Sequence, residues 1–160
     1  MYVLFFVLLT SGMAYAQQAK YVFYFIGDGM GVNQVNGTEM YLAEQEGRIG
    51  VKPLLFTSFP VASMATTFSA TNSVTDSSAA GTALATGAKT YNGATGMDAN
   101  QSVLQSVAER DKTSGKNVGV TPSVSVDHAT PAALSAHHTD RGSNYELATP
   151  LPTAGSDFYA

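Results

Sequence analysis

Apolar positions in this chain fall in short blocks, and the spacing within each block predicts its element. KYVFYFIGD (20–28) is a continuous apolar, aromatic and β-branched run, suited to a strand buried on both faces of a parallel sheet. VNQVNGTEMYLAEQEG (32–47) changes to helical spacing, with Val32, Val35, Met40 and Leu42 as partial anchors and Gly47 as the stop. ASMATTFSA (62–70) alternates weakly, as a strand does. SSAAGTALATG (77–87) predicts a short Ala-rich helix. QSVLQSVAERDKTSG (101–115) predicts an amphipathic one, with Val103, Leu104 and Val107 on its apolar face and Gly115 capping its end. KNVGVTPSVSV (116–126) is a further strand, and TPAALSAHHTDR (130–141) a helix with Pro131 in its first turn. Strands alternating with helices imply an α/β sheet with right-handed crossovers. No internal repeat or low-complexity linker interrupts the pattern.

The N-terminal block is of another kind. MYVLFFVLLTSGMAYAQQ has an apolar run from Tyr2 to Leu9, then small residues ending in Ala14-Tyr15-Ala16. The run is too short to span a bilayer, and the small residues suit cleavage after Ala16, so residues 1–16 are expected to be a secretory signal peptide. The usual basic residue at its start is missing, and a buried strand is the alternative. Composition adds limits. The chain has 160 residues, enough for about one domain, and 17–160 is taken as that domain. Only 12% are charged and 44% are hydrophobic, which favours a packed core over disorder. The net charge of −4 offers no field for nucleic acid or an anionic membrane, and no membrane span is expected in the mature chain. There is no cysteine, which excludes disulfides and thiolate metal sites within this stretch.

Ligands of open α/β sheets gather where strands end and helices begin, and three stretches lie at such places. Gly27-Asp28-Gly29-Met30-Gly31 follows the first strand. An acid flanked by glycines there can offer its carboxylate to a hard cation, or simply cap the next helix. A dinucleotide fingerprint is excluded because Val32 stands where its third glycine belongs. In VTDSSAAGTALATG (74–87), Asp76 and Ser77 open a helix of small residues, where free amides and the helix dipole favour an anion. A serine hydroxyl needs a base or a metal to become a nucleophile. The chain has no Gly-x-Ser-x-Gly elbow, which favours a metal; an ordinary helix cap is the competing reading. The third stretch, Asp127-His128-Ala129-Thr130-Pro131, supplies oxygen and nitrogen ligands, and Arg141 supplies a side chain that grips phosphate through paired hydrogen bonds. The adjacent His137 and His138 point in different directions on a helix and are expected to be structural or solvated.

Together these residues resemble the alkaline phosphatase family. Val74-Thr75-Asp76-Ser77-Ser78-Ala79-Ala80-Gly81-Thr82 is similar to the segment carrying that family's nucleophile. Phe25-Ile26-Gly27-Asp28-Gly29-Met30-Gly31 is similar to its first metal-binding turn. Ala129-Thr130-Pro131-Ala132-Ala133, with Ala136-His137 and Arg141, is similar to its third block. The resemblance runs from about Lys20 to the end. It implies a three-layer α/β sandwich, a largely parallel sheet flanked by helices, incomplete here. It also implies two zinc ions and one magnesium, phosphate monoester substrates, and a homodimer when full length. Ser77 would become a phosphoserine and contact one zinc, Asp28 would bridge that zinc and the magnesium, and Thr130 would bind magnesium. Arg141 would hold two phosphoryl oxygens, oriented by Asp76. His128, at a position that is Asp or His in the family, would sit near the magnesium and tune its affinity. Zinc would make the serine hydroxyl, and later a water, more acidic and steady the leaving oxygen.

The family's other ligands, several Asp and His and a magnesium Glu, come from later in its chains. The sequence is therefore expected to be the N-terminal portion of a secreted or periplasmic alkaline phosphatase. The rivals are an inactive secreted fragment with weak metal or phosphate binding, and a phosphodiesterase or sulfatase of the same superfamily. Sulfatases place Pro and Arg shortly after the nucleophile, whereas Ser77 is followed by Ser78 and Ala79.

Overall fold

A computed structural model of the chain describes residues 19–154 and 156–160, so the expected signal peptide lies outside the described residues. The described residues form an α/β unit, with five α-helices and one parallel pair of short strands. Strand β1 (Gly119–Val120) pairs in parallel with β2 (Phe158–Tyr159), Gly119 facing Phe158 and Val120 facing Tyr159. Helices α4 (Ala129–Ala132) and α5 (Asn144–Ala148) lie between them in the chain, so this is a strand–helix–strand crossover.

Helix α1 (Val32–Gln45) starts where the Gln34 side chain accepts from the Gly31 amide at 3.1 Å, and ends at Gly47, whose φ of +68° suits glycine. Helix α2 (Ser77–Thr86) is bounded by the Asp76 cap and by Gly87 at φ +80°. Its buried residues Ser78, Gly81, Thr82 and Ala85 recur at helical spacing, with Gly81 against α4 and the Ser78 and Thr82 hydroxyls bonded to the 93–96 segment. A side chain on Gly81 would come within 3.2 Å of the Ala133 methyl and 3.3 Å of the Thr130 Cα, so the two helices meet backbone to backbone there. The core is built mostly of small residues: Ala79, Ala94, Ala129 and Ala133 are buried, and Ala132 and Ala136 cluster with Leu147.

Five expectations change. The helix expected at 130–141 stops at Ala132, because the chain turns there and His138 pairs with Thr95 instead, which leaves His137 and His138 beyond the helix. The strand expected at 116–126 narrows to Gly119–Val120, the two residues that find a partner in β2. KYVFYFI is extended, but no described residue pairs with it and Tyr21 to Phe25 are 54–88% exposed. A doubly buried strand needs packed layers over both of its faces, and among the described residues nothing covers this run. Residues 62–70 likewise form no ladder. Helix α3 (Val107–Thr113) starts six residues later than its periodicity suggests, because Asp98 turns the chain first. Its Oδ1 accepts from the Asn100 and Ser102 amides at 2.8 Å, and Met97 then bridges to Val103. The Ser106–Glu109 capping box sets the true start.

Candidate active site

The turn after residues 20–27 carries Asp28, with Met30 N donating to Gly27 O at 3.2 Å and Gly29 at φ +70°. Two helices bring hydroxyls to this one carboxylate. Ser77, first residue of α2, donates to Asp28 Oδ1 at 3.2 Å, and Thr130, in α4, donates to Oδ2 at 2.9 Å. These partners lie 49 and 102 residues from Asp28, so the tight α2–α4 contact is what assembles the group.

Asp76 occupies the cap next to Ser77 and uses both oxygens. Oδ1 accepts from the Ala79 amide at 2.9 Å, which satisfies an open donor of the first turn. Oδ2 accepts from the Gly93 amide at 3.0 Å and from Arg141 Nη1 at 3.1 Å. Arg141 is thereby tied to the residue that precedes Ser77, and its bond uses one of the five guanidinium donors. His128 takes the N-cap position of α4, two residues before Thr130. Its Nδ1 is buried without a hydrogen-bond partner among the described residues. Five of the six predicted site residues are therefore joined by side-chain hydrogen bonds in two adjoining groups. His128 is placed beside them through the chain alone.

Residues 92–97 were not singled out by sequence reasoning, yet they strap these groups together. Ser78 Oγ donates to Ala94 O at 2.9 Å, and Gly96 N donates to Thr82 Oγ1 at 2.9 Å, which fixes the strap to α2. On the other side Arg141 N donates to Gly93 O at 2.8 Å, and Thr95 and His138 exchange both backbone bonds at 2.9 Å. Gly96 sits at φ +61°, where any side chain would overlap the Ala136 carbonyl oxygen. The available signal was Asn92-Gly93, a strong turn dipeptide.

Among the described residues, no three His, Cys, Asp or Glu side chains converge to hold a metal. The donor set that does converge is one carboxylate and two hydroxyls. Those are hard oxygen ligands of the type that suits a divalent cation such as magnesium, with positions left for further ligands. The unpartnered His128 nitrogen is a donor of the kind metals and their bound waters take up. No helix among the described residues is long and apolar enough to cross a membrane.

The family model for alkaline phosphatase matches residues 19–157. Alkaline phosphatase 4 of Drosophila melanogaster is 36% identical over 155 residues, which cover 91% of this chain and 26% of that protein. The solved cold-active alkaline phosphatase of a psychrophilic Shewanella gives a TM-score of 0.76 at 33% identity, over 83% of this chain and 33% of that one. An alkaline phosphatase of the Antarctic bacterium TAB5, a histidine-to-aspartate mutant with Mg bound in its M3 site, gives 0.58 at 35% identity, over 59% and 28%. The chain thus spans about a quarter of the length of the Drosophila relative. Matched by the family model from residue 19 to residue 157, and more than a third identical to the Drosophila protein, the chain belongs to the alkaline phosphatase family.

Proposed function

We propose that these residues carry the nucleophile half of a metal-dependent phosphate monoesterase that works through a phosphoserine at Ser77. The observation that supports this most is the shared carboxylate, because Asp28 accepts from both the Ser77 and the Thr130 hydroxyl. Asp28 and Ser77 would hold zinc, and Asp28 and Thr130 magnesium, with His128 adjoining the magnesium. The remaining ligands, including those of a second zinc, would come from outside the described residues. When bound, these ions would supply Lewis acidity toward hydroxyl, water and leaving oxygen.

The chain's own residues account for the rest. Asp28 fixes the direction of the Ser77 hydroxyl, which limits the orientations it must search. As the Ser77 Oγ–phosphorus bond forms, the ester oxygen departs and takes up a proton, and the hydroxyl gives up its own. Water then cleaves the phosphoserine, releasing inorganic phosphate and restoring the hydroxyl. Arg141, held on one side by Asp76, has donors left for two phosphoryl oxygens. The N-terminus of α2 adds its positive dipole end at the same place. The apolar run at 2–9 and the Ala14-Tyr15-Ala16 site favour export of the mature protein.

The test is a phosphate monoester assay with zinc and magnesium, on this chain and on a version extended to its relatives' length. Label from a phosphorus-labelled substrate should stay on the extended protein and be absent from Ser77→Ala, which should lose about a thousandfold or more in kcat/KM. Retained activity in Ser77→Ala, or label on another residue, would overturn the reading.

A further inference from the structure

We propose that His137 and Glu109 form a clamp that positions Arg141, an inference that rests on the reading of Arg141 as the phosphoryl-gripping side chain. Sequence alone marks His137 as structural or solvated and does not single out Glu109. In the structure the His137 ring is held at both nitrogens, with Nδ1 2.8 Å from Gly96 O and Nε2 2.9 Å from Glu109 Oε1. Carbonyl and carboxylate oxygens both accept, so the Gly96 carbonyl and the Glu109 carboxylate each offer an acceptor to the ring and fix its orientation. Both side chains are mostly buried, at 21% and 23% exposed, which shields the pair from competing water.

Glu109 is itself fixed. Its Oε2 accepts from the Ser106 amide at 2.7 Å, its own amide donates to Ser106 Oγ at 3.1 Å, and that hydroxyl donates to Leu134 O at 2.6 Å. The capping box of α3 therefore does two jobs, starting the helix and aiming a carboxylate at the segment that leads to Arg141. Lys112, one turn along α3, borders the same open cleft but is engaged by Asp157 at 2.5 Å, leaving Glu109 to the histidine.

The link to Arg141 is a run of backbone bonds along one edge of the strap. Arg141 N to Gly93 O stands at one end, the reciprocal Thr95–His138 pair in the middle, and the His137 ring on Gly96 O at the other. Gly93 also donates to the same Asp76 oxygen that Arg141 holds. Releasing the His137 end lets the 137–141 segment shift against Asp76, and the guanidinium shifts with it.

Two readouts test this. In the 160-residue chain, NMR should show a slowly exchanging hydrogen on His137 Nε2, held by Glu109. Glu109→Ala should lose the Nε2 signal and speed amide exchange at His138 and Arg141 about tenfold, while Glu109→Gln, which keeps an acceptor, should restore much of the protection. In the extended protein loaded with zinc and magnesium, Glu109→Ala should weaken inhibition by inorganic phosphate about tenfold, and have no further effect on top of Arg141→Ala. Unchanged exchange at Arg141 would overturn the clamp, as would a Glu109→Ala effect that persists in full without Arg141. Should Glu109→Ala fail to fold, His137→Gln takes its place in both measurements. If the extended protein hydrolyses no phosphate monoester, the functional reading fails, and the exchange data still decide the clamp.

Discussion

Asp76 shows how one side chain can serve stability and chemistry through different oxygens. Oδ1 caps α2 while Oδ2 holds Gly93 and Arg141. Serine can replace the first role but cannot reach the second. Asp76→Ala should therefore cost about 1 kcal/mol in denaturant unfolding, and Asp76→Ser should recover most of that. Both should weaken inhibition of the extended protein by inorganic phosphate, by about tenfold or more. If serine restores phosphate affinity as well as stability, the Arg141 tether contributes nothing. At this scale the sequence was informative. Asp76, Ser77 and Thr130 stood out at helix starts, Asp28 in a glycine-flanked turn, and Arg141 as a cation close behind them in sequence. Glu109 and the strap glycines were not, since their partners lie far along the chain and no local pattern encodes such pairings.

Among the elements, caps were legible and ladders were not. Gly47, Gly87 and Gly115 all adopt positive φ where the chain leaves a helix, and glycine tolerates that conformation alone at no cost. The strand expected at 20–28 has no such local signal, because a ladder depends on partners elsewhere in the chain. The start of α3 was misjudged for the opposite reason, a local turn at Asp98 overriding a helical period. The α2–α4 contact is the element-level feature on which the site depends. Gly81→Val should destabilise the fold by about 1–3 kcal/mol, because the added methyls meet Ala133 and the Thr130 backbone. It should also lower kcat/KM in the extended protein while Ser77 itself is untouched. Thermal unfolding and kinetics on one preparation check both, and a variant that is destabilised yet fully active would separate the contact from the site.

At the scale of the whole molecule, the parallel pair is fastened to α3 by Asp157, which takes Lys112 Nζ at 2.5 Å and the Val118 amide at 2.8 Å. The Lys112 ammonium bond first, then the Val118 amide, holds the Asp157 carboxyl below the usual aspartate range. A lowered folded value means that its stabilisation is present above the ordinary aspartate range near about 4 and is lost as pH falls through the folded value. Acid unfolding should therefore begin with amide exchange at Gly119, Val120 and Phe158, and Asp157→Asn should flatten that acid limb. An unchanged limb in Asp157→Asn would assign the pairing to other contacts. The exposed aromatic run from Tyr21 to Phe25 is the other feature at this scale. A continuous apolar surface of this kind marks a place where protein is normally covered.

The small-residue core has a thermal consequence. Alanine and glycine surrender no rotamer entropy on burial, so closing α2 on α4 costs little order beyond the backbone. The same methyls and hydroxyls remove little apolar area from water, and heat capacity follows that area. The junction beneath Ser77 therefore draws less on the hydrophobic force that fades on cooling and more on fixed bonds such as Ser78 to Ala94. The footing of Ser77 should loosen less in the cold than a leucine-packed junction of equal length.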